Sequence, residues 1–201
     1  MKPIDLHFDF EYYGSAVISM DIDGKCHKFE ATYMDENPLN SLISALWQMK
    51  VRSESVFIDE NGESRTDDSQ MCNLIWQNEP WGHAVKLFRH KNELRITITY
   101  FSDTERYSDN LFSFEDTELV LDVTTDFDDF TKIVCREAIK ALRKYGFVGY
   151  ARSWDDNYKN DDFPIAKLLY LIGSDCDCLE DNDLYFSNID DEIKLITQII
   201  S

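Results

Sequence analysis

The chain has 201 residues, with 20 Lys and Arg against 39 Asp and Glu, a formal net charge of −19 and 13% aromatic residues. That aromatic content excludes a disordered chain. No run of about 18 apolar residues occurs, which excludes a membrane-spanning helix. So large an anionic excess repels DNA, RNA and anionic membranes at long range and favours a basic protein partner.

The first segment alternates. Ile4, Leu6, Phe8, Phe10 and Tyr12 fall on one side, Asp5, His7, Asp9 and Glu11 on the other. This is the period of a strand with one buried and one wet face. Ala16, Ile18, Met20 and Ile22 alternate again, Asp23-Gly24 marks a hairpin turn, and His27, Phe29, Ala31 and Tyr33 continue as a third strand. A helix over about 38–50 follows. Asn37 suits its N-cap, Pro38 its first position, and Leu39, Leu42, Ile43, Leu46 and Met49 form an apolar stripe.

Strand signals return at Val56–Asp59, Met71–Asn78, Ala84–Phe88, Leu94–Tyr100 and Thr117–Thr124. Glu79-Pro80-Trp81-Gly82 reads as a connection, and Arg95, Thr97 and Thr99 mark a wet face. From 126 the period becomes 3.6. Asp126 can cap a helix whose buried stripe is Phe127, Phe130, Val134, Ala138, Ala141 and Leu142, with Gly146 as its stop. A loop of about 15 residues then leads to a helix at Phe163-Pro164 that ends at Gly173, and a last amphipathic helix covers Ile189–Ile200. The order predicts a single α+β domain over 1–201: a mostly antiparallel sheet, an inserted helix after the third strand, and two or three C-terminal helices packed on the sheet.

No phosphate-binding glycine loop, His-Glu-x-x-His or nucleophile elbow is present. Five scattered cysteines without zinc-knuckle spacing predict reduced thiols in a cytoplasm. Met1 is followed by Lys2-Pro3 and an alternating segment, so no export signal is expected. His7, flanked by Asp5 and Asp9, is a candidate base or ligand. The run Asp155–Asp162 resembles a calcium loop only in composition, because Asn160 stands where an EF-hand needs Gly and Lys159 where a ligand belongs. Neither a metal nor a cofactor is expected.

The acidic distribution carries the functional reading. Twelve acids lie between 153 and 193 against Lys159 and Lys167. Aromatic anchors with acids around them suit a protein interface, so the predicted partner-binding residues are Trp154, Asp155, Asp156, Tyr158, Asp161 and Asp162, with Asp175, Asp177, Glu180, Asp181 and Asp183. Lys132, Arg136, Lys140 and Lys144, with Arg143, form an opposite, basic stripe that faces solvent, pairs with the chain's own acids or makes a dimer contact.

The segments Asn37-Pro38-Leu39-Asn40-Ser41-Leu42, Glu79-Pro80-Trp81 and Tyr145-Gly146-Phe147-Val148-Gly149-Tyr150, with Trp154 and Phe163-Pro164, resemble those of small bacterial proteins. Some of these serve as immunity partners of secreted or contact-delivered toxins. The resemblance implies a non-enzymatic acidic binding protein that occludes a basic toxin. The alternative is an enzyme or small-ligand binder with a pocket near the sheet and the 146–164 loop, where Asp155 or Glu79 would act with a nearby His.

Overall fold

The structure is a computed structural model. It describes residues 3–12, 14–32, 37–54, 56–58, 64–66, 69–78, 80–102, 117–154, 163–173, 180–181, 184–185, 193 and 197, some by backbone alone. Strands β1 (Ile4–Tyr12), β2 (Ser15–Ile22) and β3 (Lys25–Thr32) form one antiparallel sheet in that order. Its β2–β3 turn is Asp23-Gly24, with φ of 53° and 77°, the left-handed values a tight hairpin needs. Helix α1 (Pro38–Glu54) follows, then the short antiparallel pair β4 (Val56–Ile58) and β5 (Ser64–Thr66). Strands β6 (Ser69–Asn78), β7 (Trp81–His90), β8 (Glu93–Phe101) and β9 (Glu118–Asp126) form a second antiparallel sheet in sequence order. Helices α2 (Phe127–Trp154) and α3 (Ile165–Leu171) come next, then the two-residue strands β10 (Glu180–Asp181) and β11 (Leu184–Tyr185). The fold is α+β and antiparallel, as the order of periodicities predicts.

The alternations point inward as expected. Leu6, Ile18 and Met20 of the first sheet, Leu87, Leu94, Ile96 and Ile98 of the second, Leu39, Ile43 and Leu46 of α1, and Phe127, Phe130, Val134 and Ala138 of α2 share one core. The full burial of a Leu, Ile or Phe side chain is worth about 1.5–3 kcal/mol. The sheets meet where β3 crosses β6: Asn78 Nδ2 donates to Glu30 Oε2 at 2.8 Å and Thr32 Oγ1 to Gln77 O at 3.2 Å. Both cap predictions hold. Asn37 Oδ1 accepts from the amides of Leu39 and Asn40, and Asp126 Oδ1 from that of Asp129.

Three local expectations change. The Pro80 connection is shorter than predicted, because β7 already begins at Trp81. Gly82 fits there because a Cβ would lie 2.5 Å from the Phe101 ring. Gly146 does interrupt the helix, at φ 66° and ψ 170°, but helix resumes and reaches Trp154. The tertiary hold on Tyr150 explains the restart, since packing rather than propensity sustains most short helices. Its hydroxyl lies 2.8 Å from Asn37 Oδ1 and 3.1 Å from Asn40 Oδ1, and its ring meets Phe10 and Phe163 edge to face. Three segments singled out in the sequence thus converge on one buried node. Thr99 is buried rather than wet, beside Ala84 and Phe101. Of the predicted last helix, Ile193 and Thr197 are described, and both are helical.

Candidate functional site

The predicted partner-binding surface falls mainly outside the described residues. Asp155, Asp156, Tyr158, Asp161, Asp162, Asp175, Asp177 and Asp183 lie there, as does Glu79. Trp154 is the last residue of α2, and Glu180 and Asp181 make up β10, paired with Tyr185 and Leu184.

The basic stripe is described, and it pairs with the chain's own acids. Arg136 bonds Asp5, Lys140 bonds Glu137 at 2.7 Å, Lys132 bonds Asp129 at 3.0 Å, and Lys144 lies 3.6 Å from Asp9. The polar face of β1 is therefore not simply wet: it meets α2. His7 sits in this lattice, with Nε2 3.2 Å from Asp5 and Nδ1 3.6 Å from Glu137. Burial pushes the Asp5 carboxyl up, yet the hydrogen bond and charge of Arg136 outweigh it and leave Asp5 below the usual carboxylate range. Glu137 is buried but has Lys140, Arg136 and His7 around it, the condition under which a buried charge is tolerated. Among the described residues no group of three or more His, Cys, Asp or Glu is placed to hold a metal ion.

The second sheet shows what single-strand patterns missed. Its outer face carries exposed apolar side chains from three strands: Met71 (49% exposed) on β6, Phe88 (41%) on β7 and Leu119 (59%) on β9. Register puts Met71 opposite Phe88, Phe88 opposite Arg95, and Lys86 opposite Thr97, which faces Asp122. A bulge between Ile98 and Thr99 shifts Leu119 opposite Thr99. Together these residues shape a depression of about 570 Å³. Arg95 grips Asp122 through two bonds, Nε–Oδ1 at 2.8 Å and Nη2–Oδ2 at 2.6 Å. That bidentate pair holds Asp122 below the usual carboxylate range and Arg95 above its own. The arrangement offers exposed apolar side chains on either side of a neutralised ion pair, which suits contact with another surface. The sequence signal was an apolar residue on the polar side of three strands of one sheet, β6, β7 and β9, legible only once the pairing through β8 is known.

At the inner end of the same sheet, His83 is 7% exposed and rests against Phe29, Trp81 and Tyr100, at ring-centroid distances of 5.1, 5.8 and 5.8 Å. Its Nδ1 and the Nε1 of Trp76, its register partner, have no hydrogen-bond partner among the described residues. Burial pushes the imidazole down to about 4, so His83 is neutral near pH 7.

No family model, curated protein or solved structure matches the chain. Among the described residues no helix is long and apolar enough to cross a membrane.

Proposed function

We propose that the chain is a non-enzymatic binding protein that recognises a basic protein and docks it on the open face of β6–β9. The observation that carries this reading is the joint exposure of Met71, Phe88 and Leu119 around one depression. Exposed apolar side chains gathered around one depression on an otherwise charged surface mark interaction sites, and large apolar anchors supply most interface energy. The net charge of −19 selects the partner's sign by steering cations toward it. The resemblance to immunity-type proteins makes a basic toxin, blocked by occlusion, the leading partner. The acidic 153–193 segment would act in approach and the sheet face in retention.

The test compares the wild-type chain with Phe88→Ser/Leu119→Ser as bait in extract of the native host, followed by dissociation kinetics on any basic protein retained. The double variant is expected to raise the dissociation rate at least about tenfold, as loss of anchors does. An unchanged dissociation rate for a partner of matched fold would rule this face out.

A further inference from the structure

The basic flank of α2 is more than a set of ion pairs, because it forms one wall of a groove. The groove has a volume of about 890 Å³ and runs between α2, Lys50 of α1 and the end of α3 at Leu171–Gly173. Five cations line it: Lys50, Lys132, Arg136, Lys140 and Arg143. Asp128, near the start of α2, is the one carboxylate among its described lining residues. From Lys132 to Arg143 the cations span roughly 16 Å at the helical rise. The carboxylates that hold three of them, Asp5, Asp129 and Glu137, do not line the groove.

We propose that this groove binds a small organic phosphate carrying two or more negative charges, with its apolar part against Ile139, Leu171 and Ile172. This site is separate from the sheet face and does not depend on the reading of that face. Three arguments select the ligand class. The volume lies in the range of small-molecule sites, roughly 300–1,000 Å³. A row of Lys and Arg suits phosphate oxygens, Arg by bidentate bonds and Lys as a point charge.

The third argument concerns size. An extended polyanion would lie over the rest of a surface whose net charge is −19, whereas a compact one stays within a Debye length, about 8 Å, of the five cations. Two of the existing pairs are no obstacle. Lys132–Asp129 and Arg136–Asp5 are exposed at both ends, and such pairs contribute only about 0–1 kcal/mol each, so these two cations are readily re-partnered, whereas Lys140 stays beside the buried Glu137. The groove is a binding rather than a reacting site, since its thiol, Cys135, is buried and its protonated form is strongly favoured.

Calorimetric titration of the full chain with pyrophosphate and with inorganic phosphate, at low ionic strength, tests the proposal. Saturable one-to-one binding of pyrophosphate, tighter than that of phosphate, is expected. Lys132→Gln/Arg143→Gln should weaken it at least about tenfold with the circular dichroism unchanged, because two charge-assisted contacts are removed. Lys28→Gln, exposed on β3, should leave it unaltered. Amide shifts at Leu171–Gly173 should move with pyrophosphate in the wild type. Absence of saturable heat overturns the proposal, as does equal weakening by Lys28→Gln, which would mark a general ion effect. Tighter binding of an acidic peptide such as oligoglutamate would make the occupant a polypeptide and likewise overturn it.

Discussion

His83 shows how one side chain couples fold to pH. In the unfolded chain its imidazole titrates near 6.5, in the folded chain near 4. Between these values the unfolded state binds more protons, so stability falls as pH drops through that window and levels off below about 4. Among the described residues, the groups around it, Phe29, Trp76, Trp81 and Tyr100, include no carboxylate that could hold the charged form. The full loss is roughly 3 kcal/mol, from the constant of about 1.4 kcal/mol per pKa unit. His83→Phe, which keeps a ring in the site and has no proton to bind, should flatten this dependence. Urea midpoints at pH 7.5 and pH 5 will show it: the wild type should lose clearly more than the variant. Equal losses would place the pH sensitivity elsewhere.

At the scale of elements, α2 is two helical segments joined at Gly146. Its φ and ψ fall in a region that only glycine occupies at low cost, although a Cβ there would touch none of the described residues within 4 Å. Gly146→Ala should therefore destabilise by about 1–3 kcal/mol through the backbone alone. Thermal unfolding measures this, and a cost below about 0.5 kcal/mol would show that the break relaxes into continuous helix.

The stop at Gly146 was legible in the sequence, but the restart was not. Glycine marks a local conformation, whereas the hold on Tyr150 comes from Asn37, Asn40 and Phe10, distant in the chain. The strands show the same division. Alternation revealed the inner face of β8 through Leu94, Ile96 and Ile98. The outer patch needed the pairing of Met71 with Phe88 and the bulge that moves Leu119. Likewise, spacing by four found the basic stripe, while the groove beside it required the end of α3.

For the whole molecule, charge sets the kinetics of encounter more than the strength of contact. Replacing Asp155, Asp156, Asp161 and Asp162 by Lys changes the net charge from −19 to −11, since each replacement shifts it by two. Association with a basic partner should slow by about tenfold at low ionic strength and lose most of its salt dependence, with dissociation little altered. Stopped-flow traces across a salt series check this. An unchanged rate would mean that approach is governed by another part of the surface.

The contact of α2 with β1 has a consequence for biogenesis. Arg136 and Tyr145 reach Asp5 and Phe10 across sequence separations of 131 and 135 residues. During synthesis the amino-terminal meander therefore waits for its lateral cover until the ribosome has released residue 145. At translation rates of about 5–20 residues per second that delay is on the order of ten seconds. A strand edge left bare for so long invites pairing between nascent chains, and the acids Asp5 and Asp9 on that first strand are well placed to keep neighbouring copies apart until α2 arrives.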